Sequence, residues 1–150
     1  MPAPKDRIAL VTGANKGIGF EIARQLGKGG HPILIGARDR DRGLAAAAVL
    51  KSEGFAVRYV QIDLTELTTI TAAAAGINAQ EGRLDILVNN AGITSCGDGS
   101  PGVASLEAVR RTFDTNFFGT LAVIQAMLPL LKRSASGRIV NLSSGLGCIS

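Results

Sequence analysis

Five short apolar runs alternate along the chain with segments whose apolar residues recur at helical spacing. Each run is nearly continuous in its apolar character, as in Ile33-Leu34-Ile35 and Ile86-Leu87-Val88. Continuous apolar runs are typical of strands that are buried on both faces of a parallel sheet. The pattern therefore predicts strands over residues 7–12, 32–37, 56–62, 84–89 and 138–142.

The intervening segments predict helices over residues 17–28, 41–53, 66–80 and about 105–133. Thr65 and Ser105 are the candidate N-caps of the last two helices. Pro129 predicts a kink or a loosened turn near the end of the long segment. One face of that segment carries apolar residues at helical spacing: Phe117, Leu121, Ile124, Leu128 and Leu131. We therefore expect this face to be part of the core or an interface.

The regular alternation of strand and helix predicts an α/β fold of the Rossmann type. Such a fold is a doubly wound parallel sheet with helices on both faces and right-handed crossovers. Ligands bind to these sheets beyond the carboxyl ends of the strands, next to the first strand. The turn that follows the first predicted strand is therefore the first place to look for a site.

That turn carries three glycines, Gly13, Gly17 and Gly19, in the spacing G-x-x-x-G-x-G. A strand, a glycine turn and a helix start in this order form an anion site, because free N–H groups and the positive end of the helix dipole face the turn. Gly13 would permit the sharp turn, Gly17 the close approach of a phosphate, and Gly19 close helix packing. Glycine also serves ordinary turns, so a turn without a ligand is the alternative.

Basic residues near the turn bear on the choice of cofactor. The second predicted strand ends at Arg38, where an NAD-binding domain places an acid for the ribose hydroxyls. A guanidinium suits a 2′-phosphate instead, and Lys16 adds a second cation within the turn. We therefore expect NADP (NADPH) rather than NAD, although Asp39 is adjacent. Solvated surface charges are the alternative interpretation.

Composition narrows the class of protein. The 150 residues are 46% hydrophobic and 19% charged, which fits one globular domain. The net charge of +4 is scattered, without the basic patch or aromatic platform of a nucleic-acid-binding protein. Two cysteines, Cys96 and Cys148, and a single histidine lack metal-ligand spacing, so we expect reduced thiols and no metal. Without an apolar signal region or a spanning-length apolar stretch, we expect a cytoplasmic protein with no membrane partner.

Five motifs follow the predicted strands or lie within the long helix. They are Thr12-Gly13-x-x-x-Gly17-x-Gly19, Asp63-Leu64-Thr65, Asn89-Asn90-Ala91-Gly92, Thr115-Asn116 and Arg138-Ile139-Val140-Asn141-Leu142-Ser143-Ser144. In this order and spacing they resemble the short-chain dehydrogenase/reductase family, and they extend over nearly the whole chain. Asn15-Lys16 and Arg38 resemble the NADP-preferring carbonyl reductases within that family.

The resemblance implies a role for each motif. Asp63 would lie by the adenine ring, and Asn116 would interrupt the long helix, with its main-chain carbonyl holding a water in a proton relay. Ser144 would hydrogen-bond the substrate oxygen, and Ser143 is the less favoured serine. The resemblance thus implies Ser144 and Asn116 as catalytic residues and a cofactor site that comprises Gly13, Asn15, Lys16, Gly17, Ile18, Gly19, Arg38, Asp63, Leu64, Asn90, Ala91 and Gly92.

The family's acid/base pair, Tyr-x-x-x-Lys, is not present in the sequence. The resemblance places this pair after Ser144, and the only tyrosine here is Tyr59, in the third predicted strand. The proton transfer needs a phenol whose pKa is tuned toward the working pH. We therefore expect residues 1–150 to be an incomplete NAD(P)-binding Rossmann domain, truncated before its last strands and inactive alone.

The function implied by the resemblance is hydride transfer between NADP(H) and a carbonyl compound or secondary alcohol. The expected partners are that small molecule and a second copy of the chain, which would pair through the long helix after Ser105. The alternative is a catalytically dead nucleotide-binding or regulatory fragment with the same fold.

Overall fold

Five parallel strands form one sheet in a computed structural model that describes residues 6–95, 97 and 99–144. The strands are β1 (Ala9–Thr12), β2 (Ile33–Ala37), β3 (Val57–Gln61), β4 (Ile86–Asn89) and β5 (Arg138–Asn141). Their order across the sheet is β3-β2-β1-β4-β5. Strands β2 and β3 are thus added on one side of β1 and strands β4 and β5 on the other, so the strand order reverses between β1 and β4. The predicted α/β Rossmann-type fold is confirmed, and each strand lies inside its predicted range.

Helices connect the strands on both faces of the sheet. They are α1 (Gly17–Lys28), α2 (Arg40–Ser52), α3 (Leu67–Gln80), α4 (Leu106–Phe113) and α5 (Thr120–Leu131). A six-residue π-helical segment, here the π turn (Asp114–Gly119), joins α4 to α5. The long predicted helix is therefore present as α4, the π turn and α5 in direct succession, and the regular α-helix is interrupted at its middle.

Two apolar layers hold the sheet between the helices. On one face, Leu10, Leu34 and Leu87 pack with residues of α3 and α5 such as Ile77 and Met127. On the other face, strand and helix residues form the second layer, which includes Val11, Ile33, Ile35, Ala23 and Leu50. Because both faces are covered, β1 is buried along its whole length, which explains its continuous apolar sequence.

One of the two N-cap predictions is confirmed. The Ser105 hydroxyl oxygen accepts a hydrogen bond from the amide of Ala108 and caps α4. The prediction for Thr65 is wrong, because α3 begins at Leu67 and its N-cap position is Glu66. The Thr65 hydroxyl instead donates to the Asp63 carboxylate at 2.7 Å, so it stabilises the loop before the helix.

The last helix extends past its proline. Helix α5 continues through Pro129 to Leu131, so the helix is not broken there, and the predicted kink or loosened turn stays a prediction. Of the face predicted to be core or interface, Leu131 is buried, whereas Phe117, Leu121 and Leu128 are exposed, and their use as an interface stays a prediction. The buried side of α5 is formed by Val123, Met127, Leu130 and Leu131.

Strand β5 lies at the edge of the described sheet. It pairs with β4 alone among the described strands, and all four of its residues are exposed. No helix in the described part of the chain combines the length and apolar character needed to span a membrane. Cys96 and Cys148, predicted as reduced thiols, lie outside the described residues.

Candidate active site

A cleft of about 1310 Å³ opens at the carboxyl ends of β1 to β4. Four loops and the π turn converge there, because the carboxyl ends of parallel strands share one edge of a sheet. Most of the predicted cofactor-site residues line it: Gly13, Asn15, Lys16, Gly17, Ile18, Arg38, Asp63, Leu64, Asn90, Ala91 and Gly92. Gly19, Asn116 and Ser144 do not line the cleft.

The glycine turn between β1 and α1 has the conformation that its sequence predicts. Gly13 and Gly17 have φ angles of 63° and 59°, in the left-handed region that disfavours side chains. A Cβ atom on Gly13 would also lie 2.9 Å from the Cα atom of Ala91. Gly17 has no atom within 4 Å of such a Cβ, so its backbone borders open space in the cleft. The turn thus leaves room for a phosphate at Gly17.

The turn is held from behind by the loop that follows β4. The buried Thr12 hydroxyl accepts hydrogen bonds from the amides of Asn90 and Ala91, at 3.1 and 3.0 Å. The Asn90 side chain donates to the carbonyl oxygens of Thr12 and Gly13. A Cβ on Gly19 would lie 2.3 Å from Asn90 Nδ2, so this glycine is required for packing against Asn90. The role of Thr12 was not predicted, although the residue is part of the motif.

Three basic side chains line the cleft near the ends of β1 and β2. Lys16 is the residue before α1, and Arg38 follows β2 as predicted. Arg42 in the first turn of α2 is a third cation that sequence reasoning missed, although it stands four positions after Arg38. Within the described part of the chain, none of the three forms an ion pair with a carboxylate.

The acid beside Arg38 is engaged in the helix. The Asp39 carboxylate accepts a hydrogen bond of 2.9 Å from the amide of Arg42 and is the N-cap of α2. A capping carboxylate compensates unpaired amides and the positive end of the helix dipole. Asp39 is therefore held at the helix start, where one of its oxygens is already bonded.

The loop after β3 is fixed against the π turn. The Asp63 carboxylate accepts hydrogen bonds from the amide and the hydroxyl of Thr65, which closes the loop on itself. Leu64 is buried, and a Cβ on Gly119 would lie 2.5 Å from its carbonyl oxygen. Gly119 thus permits the close approach of the π turn to this wall of the cleft.

Asn116 lies within the π turn, so the interruption predicted at this residue is present. Its side-chain oxygen accepts from the Ile93 amide and its amide nitrogen donates to the Ile93 carbonyl, both at 2.8 Å. A Cβ on Gly92 would lie 3.2 Å from the same side-chain oxygen. Asn116 therefore ties the helical path to the loop after β4, and π turns of this kind often mark functional sites.

Ser144 lies three residues beyond β5, after the carboxyl end of this strand. The carboxyl ends of β4 and β5 are joined by a 2.8 Å hydrogen bond from the Asn89 side chain to that of Asn141. The amide of Leu142 also donates to the Asn89 carbonyl. These bonds align the segment that leads into Ser144 with the loop that carries Asn90.

Tyr59 has a structural environment in β3. Its hydroxyl donates to the carbonyl oxygen of Ala37 at 3.1 Å, and its ring covers Gly43 of α2. Burial, followed by the nearby charge of Asp39, raises the pKa of the phenol above its ordinary value. A raised pKa makes Tyr59 a poorer acid/base group at neutral pH.

Comparison with known proteins identifies the family. Residues 7–150 match the family model described as short chain dehydrogenase. The chain belongs to the short-chain dehydrogenase family. The resemblance stated from the five motifs is thereby confirmed, and the relatives of this chain are named dehydrogenases and reductases, which are oxidoreductases.

Three similar proteins illustrate the relationship. (+)-Neomenthol dehydrogenase of Arabidopsis thaliana is 40% identical, over 94% of this chain and 54% of that protein. Carbonyl reductase (NADPH) 1 of Mus musculus is 44% identical, over 91% of this chain and 48% of that protein. A metagenomic short-chain oxidoreductase solved in complex with NADP has a TM-score of 0.83 and 31% identity, over 93% of this chain and 63% of that one. The chain spans about half the length of the curated relatives it matches.

Proposed function

We propose that this short-chain dehydrogenase chain binds NADP and contributes to hydride transfer between NADP(H) and a carbonyl compound or secondary alcohol. The observation that carries the proposal is the arrangement of Lys16, Arg38 and Arg42 around a glycine turn that has open space at Gly17. Guanidinium groups pair well with phosphate oxygens, and the turn offers backbone N–H groups to a pyrophosphate.

The preference for NADP over NAD rests on Arg38 and Asp39. An NAD site needs a carboxylate that accepts hydrogen bonds from the ribose hydroxyls. Asp39, the acid that follows Arg38 in the sequence, lines the cleft, and its carboxylate caps α2 through the amide of Arg42. A 2′-phosphate would meet cations here, so the phosphorylated cofactor is the better fit.

The remaining assignments are proposed in the same way. When the cofactor is bound, its nicotinamide would donate or accept the hydride, and the residues of this chain would hold and orient the cofactor. We assign the cofactor to Gly13, Asn15, Lys16, Gly17, Ile18, Gly19, Arg38, Asp63, Leu64, Asn90, Ala91 and Gly92. Gly19 and Asn90 act through packing behind the turn, Asn116 holds the loop after β4, and Ser144 donates a hydrogen bond to the substrate oxygen.

Similar proteins support the cofactor and reaction class. One relative is named for NADPH, another is named a dehydrogenase, and a solved structure of the same fold contains NADP. Because the chain spans about half of those relatives, the activity is proposed for the whole protein. Residues 1–150 would be its NAD(P)-binding domain in incomplete form, and the cytoplasmic location stays a prediction.

A titration of the purified chain with NADPH and with NADH tests the cofactor assignment. We expect NADPH to bind about 10- to 100-fold more tightly, since a charge-assisted hydrogen bond contributes about 1.5–3 kcal/mol. Arg38→Gln should abolish most of this difference and leave NADH binding nearly unchanged. Arg110→Gln, which removes an exposed arginine that does not line the cleft, is the matched control. Equal affinities for the two cofactors in the unmodified chain would refute the assignment.

The exposed apolar face after Ser105 supports the proposal of a homo-oligomer. Phe117, Leu121 and Leu128 are exposed along the π turn and α5 at positions with helical spacing. Sedimentation measurements should show self-association that Leu121→Asp weakens, because a charge in an apolar contact is costly. A monomer at all concentrations would contradict this prediction.

A further inference from the structure

A second cleft, of about 350 Å³, lies at the amino ends of the strands, on the opposite side of the sheet from the carboxyl ends that form the candidate active site. It is formed where Arg7 leads into β1, where Arg83 and Asp85 precede β4, and where Arg133 and Ser134 follow α5. Three arginines from three distant segments of the chain therefore line one small cavity. Its volume lies in the range of pockets for small ligands.

Each of these guanidinium groups is held in place by the fold. Arg7 donates to the Ser136 hydroxyl at 2.8 Å, and Arg133 donates to the Asn78 side chain and to the Gly82 carbonyl. Arg83 donates to the Asp85 carboxylate and to the Asp6 carbonyl. Each guanidinium has five N–H donors, so most of those on Arg7 and Arg133 are left for another acceptor.

The charges in this cleft do not balance. The buried carboxylate of Asp85 forms an ion pair with Arg83. Within the described residues, Arg7 and Arg133 bond only to neutral groups, and the exposed Asp6 is the one other acid that lines the cavity. Arginines whose positions are already fixed lose little side-chain entropy when they bind an anion.

We propose that this cleft binds a small oxyanion with two or more negative charges, of the phosphate or carboxylate class. The anion would bridge Arg7 and Arg133 and so connect the segment before β1 with the segment before β5. Bidentate pairing of guanidinium with planar or tetrahedral oxyanions favours such ligands over chloride. The site lies at the amino ends of the strands and is independent of the glycine turn.

Amide-resolved NMR titration of the chain with inorganic pyrophosphate tests the proposal, because it separates this cleft from the glycine turn. We expect saturable shifts of the Ser134 and Ser136 amides, and an Arg7→Gln/Arg133→Gln double variant should weaken that response by about 10-fold or more. Shifts at the Gly17 amide should be unaffected by the double variant. Arg110→Gln is the control for loss of one positive charge. If the double variant does not fold, either single variant replaces it, with a smaller expected loss.

Parallel titrations with inorganic phosphate and citrate distinguish the two ligand classes. Stronger binding of pyrophosphate than of citrate identifies a phosphate site, and the reverse identifies a carboxylate site; both outcomes support an oxyanion site. The proposal is overturned if the Ser134 and Ser136 amides do not respond to any of the three anions. It is also overturned if the variants respond as the unmodified chain does.

Discussion

Replacement of Asp85 should strongly destabilise the fold, because this buried carboxylate joins three segments. One of its oxygens accepts from the Ile8 amide at 2.9 Å, and the other accepts from the Ser134 hydroxyl at 2.5 Å. Arg83 adds an ion pair of 3.1 Å. Asp85 thus ties the starts of β1 and β4 to the connection between α5 and β5.

The magnitude follows from the groups that lose a partner. Asp85→Ala would leave the Ile8 amide buried without an acceptor, which costs about 1–3 kcal/mol, and would remove charged hydrogen bonds as well. We expect a loss of about 2–4 kcal/mol in the free energy of unfolding, out of the roughly 5–15 kcal/mol typical of a domain. Asp85→Asn should lose about half as much, because an amide can accept from Ile8 and donate to Ser134.

The pH dependence has a definite sign. Burial raises the pKa of Asp85, but hydrogen bonds from Ser134 and the Ile8 amide and the charge of Arg83 outweigh it, so the pKa lies below its ordinary value. A carboxyl whose folded pKa is lowered stabilises the fold above its unfolded pKa of about 3.9, and this contribution is lost as the pH falls through the folded pKa. The stability gap between the unmodified chain and Asp85→Asn should therefore narrow below about pH 4.

Urea unfolding followed by circular dichroism measures these differences. A loss of about 2–4 kcal/mol corresponds to a midpoint lowered by about 1–2 M if the slope is unchanged. Asp41→Asn, which alters an exposed carboxylate, is the control and should change stability by about 0.5 kcal/mol or less. The reasoning is refuted if Asp85→Ala is as stable as the control, or if the gap to Asp85→Asn is the same at acidic and neutral pH.

Three further predictions concern the last helical path and the reaction. Ser105→Ala should lower the free energy of unfolding by about 1 kcal/mol in urea, because the cap on α4 is lost; no change would contradict the capping role. Asn116→Ala removes both hydrogen bonds to Ile93 and should weaken NADPH binding by about 3- to 10-fold in a fluorescence titration. Asn116→Asp keeps the acceptor for the Ile93 amide and should weaken binding less. The 150-residue chain should bind NADPH without carbonyl-dependent oxidation, because its one phenol, Tyr59, is bonded to Ala37; measurable turnover would contradict this.

The fold was predictable because the central strands β1 and β2 of this sheet are buried on both faces. Burial on both faces requires continuous apolar runs such as Ile33-Leu34-Ile35, and these locate the strands directly. The N-cap of α3 was not predictable in this way. Thr65 is a good capping residue, but α3 begins at Leu67, and the Thr65 hydroxyl donates to the Asp63 carboxylate in the loop before the helix.

The candidate site was predictable where a motif is local. The glycine turn lies within one short segment, and Arg38 is identified by its place after β2. Arg42 was missed because only the first turn of α2 brings it to the cleft. The bonds of Thr12 to the loop after β4 join residues that are far apart in sequence, and no local pattern reveals them.

The three glycines of the turn meet different physical requirements. Gly13 and Gly19 are confined by Ala91 and Asn90, so a side chain there would displace the loop after β4. A Cβ on Gly17 would have no atom within 4 Å, so the requirement for glycine at this position comes from its φ angle of 59° and from the open cleft beside it. Two of the glycines thus preserve the packing between two loops, and the third leaves space for a ligand. Asn90 contacts both the backbone of the glycine turn and Gly19, so the glycine turn and the loop after β4 form one packed unit. A change in either loop should therefore alter cofactor binding through the other.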